Sequence, residues 1–104
     1  MTESQNLLET WLAEERDIIA RLEAGPGPGV ARPEQVSGKT GLEIMQAMLR
    51  GDIPYAAIAK TLDFTVISVS PGVAIFQGTP LPQHLNPLGT IHGGWVATLL
   101  DSAL

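Results

Sequence analysis

The sequence predicts an α+β chain in which helices come first, one hairpin follows, and a further helix closes the order. Three observations predict it. Apolar residues recur at helical spacing near the N-terminus and again from Trp95 onward. Two β-branched runs flank Pro71 and Gly72. Stretches rich in Pro and Gly separate these blocks.

The first helix is expected from about Gln5 to Ala24, because Leu7, Leu8, Trp11, Leu12, Ile18, Ile19 and Leu22 form one stripe that GPGPG at 25–29 ends abruptly. Its acidic polar face suits a membrane surface poorly, so the stripe is assigned to packing on its own domain or a partner subunit. Residues 25–38, GPGPGVARPEQVSG, have the composition of a spacer or extended loop. Thr40 and Glu43 then make a capping box before Leu42, Met45, Met48 and Leu49, and Gly51 closes this second helix. Pro54 is expected to open a short third helical turn through IPYAAIAKTL, since Pro suits the first helical position. DFTVISVS and VAIFQGT read as two strands of a hairpin. PLPQHLNPLGTIHGG reads as a loop, and WVATLLDSAL as a helix with a stripe of Trp95, Leu99, Leu100 and Ala103. The domain division is therefore 1–39, an amphipathic helix with its linker, and 40–104, the first part of a sheet-containing domain.

At 104 residues the chain has room for one small domain. A two-stranded hairpin is marginal alone, and the last helix stops in mid-pattern, so further strands are expected beyond Leu104. Six Lys and Arg against eleven Asp and Glu give a net charge of -5, which excludes nucleic acid as the expected partner. No twenty-residue stretch is apolar throughout, the acidic start is not a secretory signal, and there is no Cys. Membrane insertion, disulfides and thiolate chemistry are thereby excluded from the expectation, and a cytoplasmic location follows. Gly38, Lys39 and Thr40 spell the end of a phosphate-binding loop, but Pro33 stands where that loop needs Gly.

Chemistry concentrates in His84–Asp101, HLNPLGTIHGGWVATLLD. Gly93 and Gly94 stand where a loop becomes a helix, so their N–H groups belong to the unpaired donors at the positive end of a helix dipole. Such donors can hold a carbonyl oxygen that becomes negative during attack; the same pair also simply permits a tight turn. Asp101 is the only carboxylate after Asp63 and reads either as a solvated helical residue or as a base. His92 reads as a loop-fixing group or a base, and Asn86 as a turn residue bonding nearby backbone. His84 and His92 make no metal site without more ligands.

The pattern HxNxxGxxHGGxxxxLLDxA, in His84, Asn86, Gly89, His92, Gly93, Gly94, Leu99, Leu100, Asp101 and Ala103, resembles the hotdog-fold acyl-CoA thioesterases of the phenylacetate-degradation type. The resemblance covers about Thr40–Leu104. It implies a hotdog fold, an antiparallel sheet wrapped around a central helix, of which only the N-terminal half is present, preceded by a helical extension. It further implies that the catalytic residues are Asp101 as general base or nucleophile, Gly93 whose N–H polarises the thioester carbonyl, Asn86 which positions carbonyl or water, and His92 which holds the loop and assists. Gly94, Gly89 and His84 are then expected to line the substrate.

Spacing adds a constraint. Eight residues separate Gly93 from Asp101, ~12 Å along a helix, whereas attacking atom and oxyanion donor must meet one carbonyl. Two antiparallel helices from two subunits satisfy this, so a homodimer with shared sites is expected, and the resemblance implies either that dimer or a homotetramer built from it. The expected reaction is hydrolysis of an aromatic, phenylacetyl-type or medium-chain acyl-CoA to free acid and CoA, with no metal or redox cofactor. Two rival readings are a hotdog enoyl-thioester hydratase, which needs proton transfer at carbon, and a non-catalytic acyl-CoA-binding or assembly module in which Asp101 is idle.

Overall fold

Thr2 starts the first helix by a reciprocal cap: its hydroxyl accepts the Gln5 N–H at 3.1 Å, and the Gln5 side-chain oxygen accepts the Thr2 N–H at 2.7 Å. In the computed structural model, which describes residues 2–104, helix α1 runs Glu3–Ala24. It is followed by α2 (Pro33–Val36), α3 (Gly41–Leu49), α4 (Ala57–Leu62), β1 (Phe64–Ser70), β2 (Val73–Gly78), a 3₁₀ turn at Pro82–His84 and α5 (Gly93–Ala103). The order is that of an α+β chain with a two-stranded antiparallel sheet.

The expected cap of α3 forms as a pair of bonds: Thr40 Oγ1 accepts the Glu43 N–H at 3.1 Å, and Glu43 Oε1 accepts the Thr40 N–H at 3.0 Å. Strands β1 and β2 turn at Pro71 and Gly72, with Gly72 at φ 76. Their register slips between Val66 and Ser68, which leaves Ile67 as an extra residue in a bulge.

Two expectations need correction. Pro54 does not open a helix; α4 begins at Ala57, because Tyr55 is held extended against the preceding segment, its N–H bonding Gly27 O at 3.2 Å and its carbonyl accepting the Gly29 N–H at 2.9 Å. Residues 25–38 are therefore more than a spacer. They dock along Tyr55 and include the short α2, which Pro33 opens at its first position.

Burial also differs from the simple stripes. On α1 the covered face is Glu15, Ile18 and Leu22, spaced i, i+3, i+7, while Leu7, Leu8 and Trp11 stay about half exposed. Neighbouring elements cover only the C-terminal half of that helix. On α5 Trp95 is buried and Leu99 packs on the core, but Leu100 is 59% exposed and shares an outer ridge with Val96. The core itself joins Ile18 and Leu22 of α1, Tyr55, Ala59 of α4 and Phe64 of β1, with Met48, Leu62, Phe76 and Leu99 packed around it. Phe64 meets Phe76 and Trp95 edge-on, each at 6.4 Å between ring centres, and so fixes β2 and the first turn of α5 to the same point. No described helix is long and apolar enough to cross a membrane.

Candidate active site

The loop between the hairpin and α5 is tied at its base. The His92 N–H donates to His84 O at 2.9 Å, Leu85 and Ile91 bridge in antiparallel fashion, and the Asn86 N–H donates to Thr90 O at 2.8 Å. Within that frame the Asn86 side chain organises the tip. Its Oδ1 accepts from Leu88 N at 2.9 Å and Thr90 N at 3.2 Å, and its Nδ2 donates to Thr90 Oγ1 at 2.7 Å. The turn-forming habit of Asn accounts for this arrangement, and one Nδ2 hydrogen remains for another acceptor. Gly89 stands at the tip with φ 85, where its N–H donates to Asn86 O at 3.0 Å.

His92 ends the loop as the N-cap of α5. Its Nδ1 accepts the Gly94 N–H at 2.8 Å, and its carbonyl accepts the Trp95 N–H at 3.0 Å. A Cβ on Gly94 would lie 2.9 Å from that Nδ1, so the missing side chain makes room for the cap. The Gly93 N–H is left without an acceptor among the described residues. Gly93 is exposed, a Cβ placed on it would meet nothing within 4 Å, and its N–H lies at the positive end of an eleven-residue helix. Its neighbours His92 and Gly94, together with Leu62, His84, Leu85, Trp95 and Thr98, line a cavity of about 280 Å³. An N–H without an acceptor at a helix start is a donor of the kind that can receive a carbonyl oxygen.

His84 is 6% exposed and borders this cavity. Its Nδ1 accepts the Leu81 N–H at 2.9 Å, and its Nε2 lies 3.3 Å from Thr61 O. Asp101 stands near the other end of α5, exposed to solvent and without an ion pair among the described residues. The fold thus brings His84, Asn86, Gly89, His92, Gly93 and Gly94 into one loop and helix end, and leaves Asp101 two turns away. Two further residues shape the site: Trp95, whose indole N–H donates to Leu62 O at 2.7 Å, and Thr98, whose hydroxyl donates to Gly94 O at 2.7 Å. Trp95 was legible only as part of an apolar stripe; the need of a buried indole N–H for an acceptor was the available signal. Among the described residues, no group of three or more His, Cys, Asp or Glu is placed to hold a metal ion.

No protein-family model matches the chain, and no solved structure matches it. Over 60 residues it is 33% identical to acyl-coenzyme A thioesterase 13 of Homo sapiens and, to the same extent, of Pongo abelii. The match takes in 58% of this chain and 41% of each relative, so the chain spans less than half the length of the curated relatives it matches.

Proposed function

We propose that this chain carries the carbonyl-binding half of an acyl-CoA thioesterase site on a hotdog fold. The observation that carries the reading is the Gly93 N–H, without an acceptor among the described residues at the start of α5 and flanked by His92 and Gly94, which line a cavity. The likeness to acyl-coenzyme A thioesterase 13 supports the choice of thioester chemistry.

In this reading the thioester oxygen accepts the Gly93 N–H, and the helix dipole stabilises the negative charge that grows on it during attack. Asn86 offers its remaining Nδ2 hydrogen to the carbonyl or the attacking water, while its other bonds keep the loop rigid. His92 holds the Gly94 amide, which fixes the orientation of the neighbouring Gly93 N–H. Asp101 acts as general base on water or as nucleophile, from the partner subunit, because ~12 Å of helix separates it from Gly93 in its own chain. Attack expels the CoA thiolate, and the acid leaves as carboxylate. Acyl groups of the phenylacetyl type or of medium length are the expected substrates, with CoA as part of the substrate and no other cofactor.

The test is thiol release from phenylacetyl-CoA and from a medium-chain acyl-CoA by the unmodified protein and by Asp101→Asn. The expected loss in the variant is about 100-fold or more, the range of a positioned general base. Acyl-CoA binding that persists in both proteins without any thiol release would replace the enzyme by a binding module.

A further inference from the structure

We infer that His84 is a positioning residue for the Gly93 donor, acting as a neutral Nε2–H imidazole that anchors both ends of the active loop to the end of α4; the role in turnover rests on the thioesterase reading above.

Five contacts converge on this one buried residue. Nδ1 accepts the Leu81 N–H at 2.9 Å, which requires that nitrogen to be bare. Nε2 lies 3.3 Å from Thr61 O and 3.8 Å from Asp63 Oδ2, two acceptors, which requires it to carry the proton. The tautomer is therefore set by its partners. The backbone carbonyl of His84 accepts the His92 N–H at 2.9 Å, so the residue that opens the loop also holds the N-cap that closes it. Its ring lies tilted against Trp95 at 6.1 Å, in the first turn of α5.

The far side of the anchor is equally specific. Thr61 and Leu62 end α4, where carbonyls lack helical partners. His84 Nε2–H serves the first and Trp95 Nε1–H the second, at 2.7 Å. Loop and helix α5 are thus clamped to one pair of carbonyls, and Asp63, at φ 54, turns the chain directly from that point into β1. A substrate contact does not need a histidine with both ring nitrogens engaged inside the protein; a fixed reference point for the Gly93 N–H does. Shifts near 1 Å in such a group are enough to cost ~100-fold in rate.

The test uses the full chain labelled with nitrogen-15, compared with His84→Phe and His84→Gln. Phe keeps a ring against Trp95 and removes both bonds. Gln keeps an acceptor able to reach back to Leu81 N–H, as Gln does at the third position of a capped turn, and keeps a donor. The expected result is a bare Nδ1 and protonated Nε2 for His84 in the unmodified protein, a displaced Gly93 amide resonance in His84→Phe, and its return in His84→Gln. Turnover should follow the same order, with kcat down roughly 10- to 100-fold in His84→Phe at little changed KM and largely recovered in His84→Gln. An Nδ1–H tautomer, or a Gly93 amide indifferent to His84→Phe, overturns the assignment. Should His84→Phe fail to fold, the tautomer and the Gln variant decide. Absence of thiol release from the unmodified protein sinks the thioesterase reading alone, because the resonances judge His84 without turnover.

Discussion

Two adjacent glycines open α5, and their amides do different work. Gly94 gives its N–H to His92 Nδ1, and its lack of a side chain is demanded by that imidazole 2.9 Å from where a Cβ would stand. Gly93 gives its N–H to nothing within the described residues and has free space around its Cα. A substitution can therefore separate donor from shape. Pro is tolerated at the first helical position and asks the preceding residue for extended backbone, which His92 already has at φ -61 and ψ 131. Gly93→Pro should keep the helix, as circular dichroism would show, while thiol release falls about 100- to 1,000-fold, the usual loss for one oxyanion donor. Gly93→Ala keeps the N–H and should stay within a few-fold of the unmodified protein. Equal activity in the Pro variant would remove Gly93 from the chemistry.

Much of the element-level structure was written in short-range signals. Thr40 with Glu43, and Pro71 with Gly72, specify local hydrogen bonds and dihedrals, so a cap and a hairpin turn could be read without knowing any neighbour. The start of α4 could not be read that way. Pro54 is a good first residue of a helix, yet Tyr55 spends its backbone groups on Gly27 and Gly29, a pairing 26 to 28 residues distant in sequence. The same limit hid the burial phase of α1 and α5: periodicity names a stripe, but only the neighbours decide which part is covered. Within the candidate site the loop residues were legible as a group, whereas the Thr61 and Leu62 carbonyls that anchor it carry no side-chain signature. Tyr55 also offers a direct check on how α1 is held. Its hydroxyl donates to Glu23 near the end of that helix, and burial, then the Glu23 carboxylate, push its pKa from 10.0 up to about 12. A folded-state pKa raised above the unfolded one means the contribution is fully present below pH 10 and is lost as pH rises toward 12. Tyr55 is the only tyrosine, so the ultraviolet signal of tyrosinate reports it alone. Ionisation should begin only well above pH 10 and coincide with loss of helix; a simple titration at pH 10 would mean that α1 is not fastened there.

At the scale of the whole molecule the outer face of α5 sets the question. Val96 is 42% and Leu100 59% exposed, one turn apart on the side of the helix that turns away from the core, with the exposed Asp101 next in sequence. A hairpin of two strands is marginal by itself, and Val73 and Ile75 add exposed apolar surface on β2. In the proposed assembly two copies of α5 run antiparallel and each Asp101 reaches the Gly93 end of the other helix. This arrangement makes a prediction that no single-chain site shares. Asp101→Asn retains a working donor, and Gly93→Pro retains a working base. Each variant alone should be nearly inactive. When the two are co-expressed, a mixed dimer holds one site with both defects and one with neither. Random pairing puts about half of the dimers in the mixed form, so thiol release should recover to about a quarter of the unmodified level. Recovery of that size requires donor and base to come from different subunits. If the mixture stays as inactive as its parts, while native mass spectrometry shows that mixed dimers have formed, donor and base do not meet across the subunit boundary, and Asp101 must be dropped as the partner of Gly93.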